Sequence, residues 1–169
     1  MAVIEELLDE DAFDPKKLFN EEEYSTLVIK RDGFSNKQNT AADLIEDLME
    51  PKNTRQENEA IYLRIKETNA GEMLVNALKT VQKPTERAIL TSACWECGLD
   101  FTGHFLFFVE LACSNDFNVA LEAITVVENC EGTIDEDSLH KAINLVETSK
   151  SRNKHLLDIL KTHLNNRLN

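Results

Sequence analysis

The chain has 169 residues, 42% apolar and 29% charged, with a formal net charge of −13. That length suffices for one domain with a core that needs neither disulfides nor metal, and the composition excludes global disorder. The excess of carboxylates repels nucleic acid and anionic membrane, because neutralising phosphate needs clustered Lys and Arg.

The acidity is concentrated in residues 1–50, which hold fourteen Asp/Glu against five Lys/Arg. Such a surface keeps a protein soluble and, where it meets a partner, favours a basic one. No apolar run approaches the roughly 20 residues that a membrane-spanning helix needs. The first residues, M-A-V-I-E-E-L-L-D-E, lack the basic start of a secretory signal. A cytoplasmic location with four free thiols is therefore expected.

In chain order, Val3, Ile4, Leu7 and Leu8 share one face of a short helix. Asp14-Pro15 has the form of a helix start, running on through Leu18 and Phe19. Tyr24, Leu27 and Val28 keep helical spacing, and residues 31–36 form a loop. Thr40-x-x-Asp43 opens the next helix, whose stripe is Leu44, Ile45, Leu48 and Met49. Thr54-x-x-Glu57 is a capping box ahead of Ala60, Ile61, Leu63 and Ile65, and Asn69-Ala70-Gly71 ends that helix. Met73, Leu74, Ala77, Leu78 and Val81 define another, stopped at Lys83-Pro84.

The stretch from Thr85 to Cys130 is the most apolar and holds the only Trp and all four Cys. It reads as three buried helices. The first, Thr85–Cys97, presents Ala88, Ile89, Leu90, Ala93, Cys94 and Cys97, with Gly98 placed to stop it. Asp100 is placed to cap a second, Phe101–Cys113, which is apolar nearly all round and must be covered on most sides. Asp116 caps a third, Phe117–Cys130. Its stripes are Phe117/Ala120/Leu121/Ile124/Val127 and Val119/Ala123/Val126/Cys130, leaving Asn118, Glu122, Thr125 and Asn129 as a polar strip. Thr133-x-x-Glu136 predicts a capping box for helix Glu136–Thr148, and a last helix runs from about Asn153 with Arg152, Lys154, Lys161 and Arg167.

Nine to eleven short helices without a strand predict an all-α fold. Shifting Ala88-Ile89-Leu90 by about 32 residues onto Ala120-Leu121-Glu122 superposes two helix patterns. That is a repeat length typical of an α-solenoid of antiparallel helix pairs, with a compact orthogonal bundle as the alternative. The expected organisation is a single domain over 1–169. Within it, 1–50 forms acidic N-terminal helices, 54–150 the repeat core and 151–169 a C-terminal capping helix.

The segments A-C-W-E-C-G-L-D-F (93–101), F-F-V-E-L-A (107–112) and D-F-N-V-A-L-E-A-I-T-V-V-E-N (116–129), with 57–75 before them, resemble a family of uncharacterised HEAT/armadillo-like proteins of Bacteroidetes-type bacteria. The resemblance covers residues 55–150. It implies a right-handed armadillo-type solenoid and transfers no catalytic residue. Proteins with such repeats mostly bind other proteins, an analogy at the level of fold.

Several residues invite a functional reading. Cys94 and Cys97 form C-x-x-C, but at the C-terminal end of a helix, where the macrodipole raises a thiol pKa and the usual redox context is missing. A zinc site would need His104, Cys113 or Cys130 to converge on them, so both cysteines are expected as packing residues. His104 and Glu110 point to different faces of one helix and form no acid–base dyad; each is expected to face solvent or a neighbouring helix. Trp95 is expected as packing, or, if half exposed, as an interaction anchor. No phosphate loop, G-x-S-x-G, H-E-x-x-H or calcium loop occurs. The expectation is a non-enzymatic, cofactor-free module that binds another protein with a basic segment, through Trp95, Asp100, His104, Glu110 and Glu122 as the candidate contacts. The alternatives are a thiol or metal protein using Cys94, Cys97 and His104, and a weak nucleic-acid binder using the last helix.

Overall fold

The computed structural model describes residues 40–168. The helices expected around Val3–Leu8, Asp14–Phe19 and Tyr24–Val28, and the loop at 31–36, lie outside the described residues.

Among the described residues there are eight α-helices and no strand. They are α1 (Ala41–Leu48), α2 (Arg55–Glu67), α3 (Gly71–Thr80), α4 (Pro84–Glu96), α5 (Phe105–Ala112), α6 (Phe117–Glu128), α7 (Glu136–Thr148) and α8 (Lys154–Leu168). A single 3-10 turn, Thr102–His104, precedes α5. None of these helices is long and apolar enough to cross a membrane.

The starts of α1 and α2 follow their sequence signals. Thr40 Oγ1 accepts from the Asp43 N–H, and Asp43 Oδ2 accepts from the Thr40 N–H at 2.7 Å. Thr54 and Glu57 do the same, with Glu57 Oε2 2.6 Å from the Thr54 N–H. Each box satisfies two amides that the first turn leaves without a helical partner. Asp116 caps α6 by accepting from Val119 N–H at 3.0 Å. Gly98 ends α4 in the left-handed region, φ +61, a conformation that costs glycine little.

Two starts differ from expectation. Helix α7 is capped by Asp135, which accepts from Ser138 N–H at 2.9 Å, and not by a box of Thr133 and Glu136. Register decides this: with Asp135 as cap, the apolar residue just before it, Ile134, and Leu139 of the first turns both pack into the core, the staple spacing. The second expected helix begins at Phe105, not at Phe101. Asp100 Oδ1 accepts from both the Thr102 N–H and the Thr102 hydroxyl, at 3.0 and 2.6 Å, closing a local turn in place of a helix cap. The following residues tighten into the 3-10 turn, with His104 N–H bonded to Phe101 C=O at 2.8 Å. That path buries Phe101 edge-on against Phe108, ring centroids 5.6 Å apart.

Packing follows chain order in pairs: α1 with α2, α3 with α4, α5 with α6, and α7 with α8. Across pairs, α2 meets α4, α4 meets α6 and α6 meets α8, while α5 meets α7. On that second side Glu72 and Lys79 of α3 reach His104, just before α5, and the Phe107 ring of α5. The core runs through all eight helices, with Phe108, Leu90, Leu74, Val109 and Leu160 fully buried.

Successive turns are stapled to one another. Asp100 and Thr102, between α4 and α5, accept from the N–H groups of Glu131 and Gly132, between α6 and α7, at 3.3 and 2.9 Å. Ser114 C=O, between α5 and α6, accepts from Ser151 Oγ and Asn153 Nδ2, between α7 and α8, at 2.7 and 3.1 Å. Gly132 has no room for a side chain: a Cβ there would stand 2.8 Å from Thr102 Oγ1. Gly132→Ala should therefore cost about 1–3 kcal/mol by overpacking, and clearly less in a Thr102→Ala background. Denaturant unfolding of the two single variants and the double variant reads the difference.

Candidate interaction surface

Helix α4 turns the stripe Ala88, Ile89, Ser92 and Trp95 to the surface, each half-buried. Spacing of three and four residues puts them on one face, opposite the fully buried Leu90, Ala93 and Cys94. The Trp95 ring packs on the core, and its indole N–H donates to Glu122 Oε2 of α6 at 2.7 Å. The acceptor is a carboxylate oxygen and the contact is partly buried, so the bond fixes both side chains. From the other side, α2 brings Tyr62. Burial raises the Tyr62 phenol above its ordinary value; a hydrogen bond with Ser92 opposes this, and the charges of Glu96, Glu122 and Cys97 add to it. Two aromatic residues, one serine and two carboxylates from three helices thus meet on one face.

Trp95 and Glu122, chosen from sequence separately, are brought together. The other three candidates are not part of this contact. Asp100 sits in the α4–α5 turn, where the hydrogen bonds from Thr102 hold its carboxyl below the usual range and the Glu131 N–H helps. His104 Nε2 lies 2.7 Å from Glu72 Oε1, linking the turn before α5 to the start of α3. Glu110 is exposed on α5, as its place in an apolar helix predicts.

Surface apolar residues depart from expectation. Phe117 and Leu121 were expected to face inward but are 55% and 41% exposed, as are Leu63 of α2, Met73 of α3 and Ile159 of α8 at 57%, 42% and 39%. Phe117 is the first residue of α6 and Leu121 lies one turn on, so both fall outside the arc that α4, α5 and α8 cover. Four of these five, and Trp95, belong to α2, α4, α6 and α8. Between α6 and α8 an open groove of about 420 Å³ runs past Glu128, Asp158, Ile159 and His163.

All four cysteines are free, and burial pushes each thiol up. Cys94 donates to Leu90 C=O at 3.3 Å, Cys97 to Cys94 C=O at 3.4 Å, and Cys130 to Val126 C=O at 3.4 Å, so they behave as small packing groups within helix ends. Cys130 is raised to about 11 by burial, with Asp100 adding to it. Among the described residues no three His, Cys, Asp or Glu side chains converge as a metal would need, and His104 is committed to Glu72 rather than to Cys94 and Cys97. The basic residues of the last helix are also engaged. Arg167 is turned onto backbone carbonyls, Lys161 meets Glu147 at 2.6 Å, and Lys154 donates to Ser149 C=O at 3.4 Å.

Comparison of the chain with protein-family models, with curated proteins and with solved structures finds no match. The surface therefore stands on its own geometry.

Sequence reasoning missed Tyr62 and the exposed apolar residues. The neighbourhood of α2 and α4 is a tertiary fact with no local signal, although the spacing of Ser92 and Trp95 does show them on one face. In the native protein the thiols of Cys94, Cys97 and Cys130 should react with a disulfide reagent at pH 7.5 at least tenfold more slowly than in denaturant, because burial raises all three and limits both the thiolate fraction and access; for Cys130, at about 11, roughly 0.03% is ionised there. Mass mapping of the modified cysteines against time measures this.

Proposed function

We propose that the chain is a non-enzymatic, protein-binding helical-repeat module. Its helix pairs form an α-solenoid of the HEAT/armadillo kind, and its recognition surface is centred on Trp95 and Glu122. The repeat reading is supported by bonds that tie equivalent parts of successive pairs at similar sequence offsets. Glu72 and His104 are 32 residues apart, Asp100 and Glu131 are 31, Thr102 and Gly132 are 30, and Ser114 and Ser151 are 37. One local geometry, repeated, is what a solenoid requires.

The observation that carries the binding reading is the Trp95–Glu122 bond. A half-buried Trp held rigid by a carboxylate loses little side-chain freedom when a partner covers it, which is the property of an interface anchor. Glu96, Glu122 and the acidic chain as a whole favour a partner segment rich in Lys and Arg, whose cations suit both the carboxylates and the aromatic face. Exposed Leu121, Phe117 and Leu63 give that segment apolar contacts beside the charges.

Trp95 is the only Trp, so its fluorescence reports this surface alone. Peptides with alternating Lys/Arg and apolar residues should shift or quench its emission, with affinity falling as salt is raised. Glu122→Gln should weaken them about fivefold, the scale of one partly exposed charge contact. Acidic peptides of equal apolar content should have no effect. Equal response to both peptide classes, or binding indifferent to salt, would falsify the basic-partner reading.

A further inference from the structure

We infer that Arg167 and His163 form an acid-sensitive latch that ties the end of α8 to the end of α6. The inference is independent of the partner proposed above. Arg167 Nη2 donates to Cys130 C=O at 2.7 Å and reaches Val127 C=O and Glu128 C=O at 3.4 Å each. These carbonyls close the last turn of α6, where helical partners run out and the dipole is negative, so a guanidinium there both satisfies and neutralises. The guanidinium is in turn positioned from behind: its Nε–H donates to His163 Nε2, one turn earlier on α8, at 2.9 Å.

That second bond requires an imidazole with a free electron pair on Nε2. A proton there removes the acceptor and places two cations 2.9 Å apart. Burial holds the His163 imidazole below its ordinary value, the Arg167 charge lowers it further, and Glu128 of α6 pulls in the opposite direction. Beyond these, Arg167 faces Asp100 in the α4–α5 turn and the Cys130 thiol, and its charge helps to lower both; the Thr102 hydrogen bonds are the larger cause at Asp100, which stays ionised. On the α7 side the charged contact with α8 is Glu147 on Lys161, and His155 and Asp158 share the groove that His163 lines.

The sign follows from linkage. With α8 docked, His163 resists protonation; with α8 released, it returns to about 6.5. Below that pH the released form takes up the proton more readily, so acid favours release, until the docked form is protonated as well. The release equilibrium shifts by about tenfold for each unit separating the two values. Release would uncover the buried stripe of α8, Leu156, Leu157, Leu160 and Leu164, and the α6 surface beneath it.

Hydrogen exchange of the full chain, followed by mass spectrometry from pH 7.5 to 5 and corrected for intrinsic rates, tests this. Amides of α8 should lose protection several-fold across that range while those of α4 hold. His163→Gln, which keeps a neutral acceptor near the Nε2 position, should flatten the α8 profile, and His155→Gln should leave it unchanged. If His163→Gln does not fold, Glu128→Gln serves instead: without the offsetting carboxylate, the acid loss should deepen. A wild-type α8 profile independent of pH, an unaltered profile in His163→Gln, a flattened one in His155→Gln, or an unaltered one in Glu128→Gln would each overturn the latch.

Discussion

Close approach of α6 to its neighbours is the constraint on which the rest depends. Helix α6 packs against α4, α5 and α8 at once. Small residues among its inner side chains ease three contacts on a helix of twelve residues: Ala120 and Ala123 are fully buried beside Val119, Ile124, Val126 and Val127, and on α4 Ala93 and Cys94 are fully buried too. Helix axes then come within about 8–10 Å, where dispersion contacts are dense. Larger side chains, Phe108 and Leu90 among them, are fully buried in the same core. Cys94 and Cys97, at the end of α4, and Cys130, just past α6, are buried as well. A thiol has nearly the volume of a small aliphatic group, and these three each bond to a carbonyl three or four residues back.

Stacking helices side by side leaves a problem at their ends, where backbone groups lose their partners. The chain meets it by bonding one turn to the next. The pair Asp100 and Thr102 receives the amides of Glu131 and Gly132, Ser114 receives Ser151 and Asn153, and Arg167 covers the carbonyls that end α6. These bonds fix the spacing between successive pairs as well as satisfying the backbone. The two buried hydroxyls, Thr91 and Ser151, both find acceptors, in keeping with the cost of burying an unpaired polar group.

The surface bond between Trp95 and Glu122 depends on that spacing. It crosses from α4 to α6, so any change in their approach would separate the indole from the carboxylate. The rigid seam beneath thus prepares the candidate recognition face above it. Arg167, positioned by His163, acts at the other flank of α6, so α4 and α8 are tied to it by bonds of different kinds, one an indole to a carboxylate, the other a guanidinium to carbonyls.

Much of the fold was legible in the residues. Helical spacing of apolar side chains, capping pairs such as Thr54 and Glu57, and Gly98 at a helix end are local effects, dictated by neighbours within four positions. They placed the described helices within a few residues, apart from the start of α5, and the buried state of Cys94 and Cys97 followed from their place at an apolar helix end. What local pattern did not decide was which apolar face meets which. Phe117 and Leu121 look like core in sequence and are exposed, because a helix covered on three sides still has one side open, and only the neighbours determine which. Asp100 looks like a helix cap and instead joins two turns, since its best donors come from Thr102 and from Glu131, 31 residues away. Trp95 with Glu122, and Arg167 with the end of α6, are likewise pairings across 27 and 37 residues. Sequence alone determined that residues 40–168 are helical and where most of those helices begin and end; the packing of α4, α6 and α8 decided which side chains meet, because contact across such distances exists only once the core has set the helices in place.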